Sequence, residues 1–318
     1  MGVDYSGAIM IKEKASDTQR KVYICLFTCM ASRAVHLEIA CDMSAATFTN
    51  LFIRFAAQWG TPSTVTSDNG TNFVATTDFL KQLAEEPEVV EYFKVNHLVW
   101  KFIHPRSPWE GGFYERMIGV VKKCLKTCMF QRSLSYDDIV TLIKEVMARV
   151  NNRPLTYVSK SNDELTTLTP NHLLFGRKIN LLPPLLSKEN DPPYEGQTQL
   201  EEQYIERSKL VTKFARIWET EYLRELRSRH YPSTQKNLFK LKVGDIVLLE
   251  TVYLPRESWP LAKITRLFPD EHGVVRAVEI QSRGHLQTCT VNKLVPLEIS
   301  SCLIDETDVP HDITPRGL

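Results

Sequence analysis

Hydrophobic periodicity changes twice along this 318-residue chain, and the two changes divide it into parts of different character. Strand-like and helical runs alternate up to residue 177. One long helical pattern then covers Leu200–Arg229, and from residue 239 only short strand-like runs remain. Such a chain must build an α/β layer structure first and a small all-β body second.

Residues 1–40 read as three strands. Val3, Tyr5, Ile9 and Ile11 alternate against Asp4, Ser6 and Met10, Lys21–Thr28 is almost continuously apolar, and Ala34–Ala40 follows a tight turn. Strands joined so closely must be antiparallel. Ser44 offers an N-cap to a helix carrying Phe48, Leu51, Phe52, Phe55 and Trp59, which Gly60 and Pro62 stop. A short strand, Ser63–Ser67, delivers Asp68-Asn69-Gly70, so the sheet is mixed with a right-handed crossover. Further helices are expected over Phe73–Leu83, Phe113–Phe130 and Ser135–Asn151, with a strand at Trp100–Ile103. The short strands of a barrel are expected at Val243–Leu249, Trp259–Leu267, Val274–Ile280 and Leu286–Val291.

Composition narrows the class. With 43% apolar and 24% charged residues the chain is neither disordered nor collagenous, and no run approaches the roughly 20 apolar residues of a membrane span. No signal-peptide pattern is visible. The net charge of +1 excludes a uniformly basic coat for nucleic acid, though not local basic surfaces. The seven cysteines form no C-x-x-C pair and the eight histidines are scattered, so free buried thiols are expected rather than zinc or disulfides.

Three acids on separate elements invite a chemical reading. Asp4 lies in the first strand, Asp68 ends the strand after the crossover helix, and Glu115 opens the helix after Gly111-Gly112. Carboxylates converging at one edge of a mixed sheet repel unless divalent cations neutralise them, and hard cations take oxygen ligands. Taken singly, Asp68 could serve an Asx-turn with Gly70, and Glu115 could serve a helix N-terminus.

The words around these acids are more specific. Ser67-Asp68-Asn69-Gly70-Thr71-Asn72-Phe73, the run His104-Pro105-Arg106-Ser107-Pro108-Trp109-Glu110-Gly111-Gly112-Phe113-Tyr114-Glu115, Asn152-Arg153-Pro154-Leu155 and Leu168-Thr169-Pro170-Asn171-His172 resemble the integrase of BEL/Pao-type LTR retrotransposons. The resemblance continues through Val243-Gly244-Asp245 and Trp259-Pro260-Leu261. It implies an α/β fold with a ribonuclease-H-like mixed sheet and flanking helices, followed by a linker helix and a small all-β SH3-like barrel. The implied boundaries are a catalytic core at 1–177, linker and connecting helix at 178–238, barrel at 239–297 and acidic tail at 298–318. It further implies that Asp4, Asp68 and Glu115 are both catalytic residues and metal ligands, with Glu110 as a competitor for the third position. Mg²⁺ is the implied ion, with Mn²⁺ as a substitute.

The implied reaction is 3′-end processing of element DNA and its joining to target DNA, by a homo-oligomer acting in the nucleus on double-stranded DNA, with no membrane involvement. The alternative is a non-catalytic DNA-binding or assembly protein that retains the fold. Two features depart from the family. No counterpart of its His-His-Cys-Cys zinc domain is present, and only three residues precede Asp4, so a shortened first strand is expected.

Charge placement points to where DNA would lie. Glu115, Gly119, Lys122 and Lys126 fall on one helical stripe, with Tyr114, Ile118, Val121 and Leu125 as the apolar stripe beside it. Lys122 and Lys126 are therefore candidate DNA contacts. Residues 206–242 hold ten Lys/Arg against four acids, and Arg224, Arg227 and Arg229 near the end of the long helix form a second candidate zone. The plain alternative for both is a solvated charged face.

Overall fold

The computed structural model describes residues 1–12, 18–85, 98–103, 114–129, 134–159, 165–183, 199–230, 241–251, 259–271 and 273–299. They form two compact units, Met1–Asn152 with Pro170–Glu221, and Arg153–Thr169 with the chain from Tyr222 onward.

The first unit is organised by β3 (Gln19–Thr28), the long apolar strand. One edge of β3 takes β4 (Val35–Ala40), and the other takes β1 (Gly2–Tyr5) and then β2 (Ile9–Lys12), all antiparallel. β5 (Thr64–Ser67) runs parallel to β1, β6 (Val99–Phe102) runs parallel to β5, and β7 (Leu134–Ser135) runs parallel to β2. Through the centre the order is β4-β3-β1-β5-β6 with only β3 reversed, which is the ribonuclease-H-like mixed sheet.

The first forty residues contain four strands rather than the three expected. Gly2 faces Thr28 and Tyr5 faces Cys25, but beyond the break Ile9 faces Val22, one residue out of step with β1. The extra residue is a bulge at Ser6-Gly7-Ala8. The Ser6 N–H donates to the Ile24 carbonyl at 2.8 Å, and the Ile24 N–H donates to Ser6 Oγ at 2.8 Å. A one-residue bulge exchanges faces. Val3 and Tyr5 therefore join the core under the first helices, whereas Ile11 is buried on the opposite face beside Val22.

Two helices cover the Val3–Tyr5 face. α1 (Ala45–Trp59) starts at Ser44, whose hydroxyl accepts from the Thr47 N–H at 3.2 Å, and ends at Gly60 with φ 84°. α2 (Thr71–Glu85) follows β5. Phe48, Leu51 and Phe52 of α1 and Phe73 of α2 meet Val3, Tyr5, Cys25, Phe27 and Val65 in one cluster. Each such side chain contributes about 1.5–3 kcal/mol of burial.

The other face carries α3 (Tyr114–Met129), packed against β1 and β3, and α4 (Tyr136–Asn151), packed against β4. Ile118, Val121 and Leu125 of α3 are buried, as the apolar stripe required, and Cys124 and Cys128 are buried with them. α4 begins with a capping box between Ser135 and Asp138. Among the described residues, α5 (Pro170–Phe175) completes the elements lying wholly within this unit, and α6 (Gln199–His230) begins in it and ends in the second.

The second unit pairs a hairpin, β8 (Thr156–Ser159) and β9 (Leu165–Leu168), with an all-β body. The latter contains β10 (Ile246–Leu249), β11 (Leu261–Pro269), β12 (Val275–Ser282), β13 (His285–Thr290) and β14 (Leu294–Pro296), in the antiparallel order β13-β12-β11-β10-β14. A four-strand meander whose fifth strand returns to the first is the SH3-like arrangement. Arg283 and Gly284, with φ of 50° and 79°, supply the two left-handed positions of the β12–β13 turn. Val247, Ala262, Ile264, Val278, Ile280, Val291 and Leu294 make its core, and Trp259 is buried.

Among the described residues no helix is long and apolar enough to cross a membrane. The described cysteines are all free thiols, and all but one are buried or half-buried; Cys41 is exposed. Burial pushes the Cys124 thiol up to about 12 and the Cys25 thiol well above its ordinary value.

Candidate functional site

Asp4 and Asp68 belong to neighbouring segments of the sheet. β1 and β5 are parallel, with Gly2 opposite Thr66, and the Thr66 N–H donates to the Met1 carbonyl at 2.7 Å. Asp4 lies two residues beyond Gly2 within β1, and Asp68 lies two residues beyond Thr66, directly after the end of β5. Asp4 alternates with Val3 and Tyr5 of the core, so its side chain stands on the opposite face of the sheet, the side on which α3 packs against β1.

Asp68 is held by the loop it begins. Its Oδ1 accepts the Gly70 N–H at 3.0 Å, the Asx-turn foreseen as its plain alternative. Asn69 Nδ2 donates to the Ile103 carbonyl at 3.2 Å, and the Ile103 N–H donates to the Ser67 carbonyl at 2.9 Å. Beneath the loop Trp100 Nε1 donates to Ser67 Oγ at 2.9 Å. A Cβ at Gly70 would stand 2.8 Å from Asn72 Oδ1 and 3.0 Å from Asp68 Oδ1, so one of these side chains would have to shift.

Asp4 has both oxygens engaged. Oδ1 accepts its neighbour's backbone N–H, from Tyr5, at 2.6 Å. Oδ2 accepts from the Lys122 ammonium, also at 2.6 Å, with the two side chains 36% and 25% exposed. Lys122, read as a DNA contact, thus rests on the first acid of the constellation. Its i+7 spacing from Glu115 placed it on the right stripe; its partner, 118 residues away in sequence, carried no local signal.

Glu115 lies in the first turn of α3, two helical turns before Lys122 on the same stripe, while its side chain lies outside the described residues. Glu110 lies outside them as well. Gly119 and Lys126, on that stripe, are exposed. Arg224 is exposed on α6, whereas the side chains of Arg227 and Arg229 lie outside the described residues. Among the described residues no group of three His, Cys, Asp or Glu is arranged to hold a metal. The donor set still suits a hard divalent cation: Asp4 and Asp68 offer only oxygen, and the ammonium on Asp4 Oδ2 marks a position where positive charge is already stabilised.

The remaining motif residues are structural. Asn151 bonds both backbone groups of Val35, accepting at 2.8 Å and donating at 2.8 Å, and so extends the edge of β4. Asn152 does the same for Ile179, at 3.1 and 2.7 Å, and accepts from Asn171 Nδ2 at 2.8 Å. In the second unit Arg153 Nε and Tyr222 OH both donate to Glu298 Oε2, at 3.0 and 2.5 Å, and all three residues are buried. Sequence reading did not foresee these clamps, because an Asn or Arg after a helix signals equally well a turn or a solvated residue.

Residues 202–297 match a family of unknown function, DUF5641. No match was found among curated proteins. Among solved structures the chain is similar to the HTLV-2 integrase catalytic core domain in complex with magnesium, in its trimeric form. That likeness has 16% identity and a TM-score of 0.31, and covers 53% of this chain and 90% of that one. It is also similar to a chain of the simian T-cell lymphotropic virus intasome in complex with the PP2A regulatory subunit B56 gamma. Here identity is 13% and the TM-score 0.34, over 93% of this chain and 77% of that one.

Proposed function

We propose that the chain is an integrase of the BEL/Pao retrotransposon type, a metal-dependent polynucleotidyl transferase that processes 3′ DNA ends and joins them to target DNA. The observation that supports this reading is that Asp4, in β1, and Asp68, directly after the parallel neighbour β5, lie on adjacent segments of the sheet, with α3, whose first turn carries Glu115, packed against β1. Asp4, Asp68 and Glu115 would hold Mg²⁺, or Mn²⁺ in its place. The bound ions would activate the attacking oxygen and stabilise the leaving 3′-oxygen.

The chain's own residues orient the reaction. The Gly70 N–H fixes the Asp68 carboxylate, β1 fixes Asp4, and Lys122 and Lys126 line the helix along which DNA would run. Arg224, Arg227 and Arg229 would supply phosphate contacts that do not read sequence, suiting an enzyme that accepts many targets. Joining two DNA ends requires more than one copy, so a homo-oligomer acting in the nucleus is part of the proposal.

A second reading, a DNA-binding or assembly protein that keeps the fold, is favoured by the Lys122–Asp4 ion pair, which compensates Asp4 without metal. One experiment separates the two. A branched oligonucleotide that mimics the strand-transfer product is incubated with the protein and Mg²⁺ or Mn²⁺, beside Asp68→Asn. Metal-dependent resolution that the variant loses while still binding DNA supports the enzyme. Binding without resolution supports the second reading, and unchanged turnover in Asp68→Asn removes that residue from the site.

A further inference from the structure

We propose that Lys122 is a tethered counter-ion that a divalent cation must displace from Asp4, so that ion binding frees the Lys122 ammonium for a substrate phosphate. This rests on the reading of Asp4 and Asp68 as metal ligands.

The argument begins with the two oxygens of Asp4. Oδ1 is tied to the Tyr5 N–H, a backbone group fixed within β1. Oδ2 is tied to the end of a flexible four-carbon stem. Only the second partner can leave without moving the sheet, so Oδ2 is the oxygen available to an ion. Lys122 and an incoming divalent cation compete for that oxygen, because an ammonium and a divalent ion held on one carboxylate oxygen repel each other at close range. Neither side chain is sealed, at 25% and 36% exposure, so ion and phosphate can both reach the pair.

The helix determines where the freed ammonium goes. Side chains on a helix lean toward its N-terminus, which directs the Lys122 stem along the stripe toward the Glu115 end of α3. Between them on this stripe stands Gly119, and nothing lies within 4 Å of the position its Cβ would take. Lys122 therefore leaves Asp4 beside the open space at Gly119, where a phosphate oxygen would replace the lost carboxylate. Reciprocity follows: whatever draws Lys122 onto phosphate tightens the ion on Asp4, and the ion tightens phosphate.

The test measures Mn²⁺ binding to the full chain by electron paramagnetic resonance without DNA, so it does not depend on turnover. Lys122→Met is compared with the parent and with Lys123→Met, which removes the same charge one residue along but is paired with Glu221 at 2.7 Å. The expected result is about fivefold tighter Mn²⁺ in Lys122→Met, the size of a partly exposed ion pair, and less than about twofold change in Lys123→Met. With Ca²⁺ as a non-reactive ion, the gain in affinity for a short DNA duplex over metal-free buffer should also shrink in Lys122→Met. Equal Mn²⁺ affinity in Lys122→Met and the parent overturns the proposal, as does an equal shift in both variants, which would reflect the general field of the helix. Absence of Mn²⁺ binding in all three proteins overturns the metal reading itself, and this inference with it.

Discussion

Asp68 takes its orientation from the glycine two residues on. A methyl group at Gly70 would meet both Asp68 Oδ1 and Asn72 Oδ1 at 3.0 Å or less, and the exposed Asp68 side chain is the one that can yield. Gly70→Ala should therefore lower metal-dependent resolution of the branched substrate at least tenfold while changing the urea midpoint little, because a 1 Å error in a catalytic group is costly. Gly119 makes the opposite case. It lies inside α3, is exposed, and has open space where its Cβ would stand. Gly119→Ala should raise unfolding free energy by about 0.5–1 kcal/mol, measured by urea denaturation. A loss of stability would show that the space is filled by a neighbour.

Among elements, β4 and α4 are joined through one carboxylate. Glu38 accepts from Lys144 Nζ at 2.8 Å, and its Oε1 stands 3.2 Å from His36 Nε2. Trp59 Nε1 donates to His36 Nδ1 at 3.1 Å, and an indole only donates, so the imidazole proton sits on Nε2 toward Glu38. Burial alone would raise the Glu38 carboxyl; the close contact with His36 and the hydrogen bond and charge of Lys144 outweigh it and hold the group at about 2 instead of its ordinary 4.5. A depressed carboxyl contributes stability that is complete above the higher value and is lost as pH falls through the lower one. The advantage of the parent over Glu38→Gln in urea midpoint should thus be constant above about pH 5 and fade between roughly 4.5 and 2. An advantage independent of pH over that range would mean the contact is not ionic.

At the scale of the molecule, each of the two units has its own core, and the second contains a charge that it cannot leave unpaired. Glu298 is buried between Arg153, just before the β8–β9 hairpin, and Tyr222, on α6. Removing one partner of a buried pair costs about 3–5 kcal/mol, because the other charge remains in the interior. Arg153→Met should accordingly raise amide hydrogen exchange across β10–β14 while leaving β3 and α1 of the first unit protected. Uniform loss of protection in both units would show that they unfold together.

Much of this protein was legible in short stretches of sequence. Ser44 and Gly60 bound α1, the capping box at Ser135 starts α4, and the Ile118-Val121-Leu125 stripe fixes the buried side of α3, because caps and periodicity act over four or seven residues. The motif around Asp68 likewise singled out a candidate acid. Tertiary structure alone decided which face Asp4 occupies. The bulge at Ser6–Ala8 turns Ile11 to the face opposite Val3 and Tyr5, although all three share one parity in the sequence. It also decided that Lys122 rests on Asp4 and that Asn151 and Asn152 clamp distant backbone. Those partners lie 118, 116 and 27 residues away, and a hydrogen bond to a distant residue leaves no mark on the sequence around its donor. Local order follows from neighbours along the chain; the site follows from neighbours that only the sheet brings together.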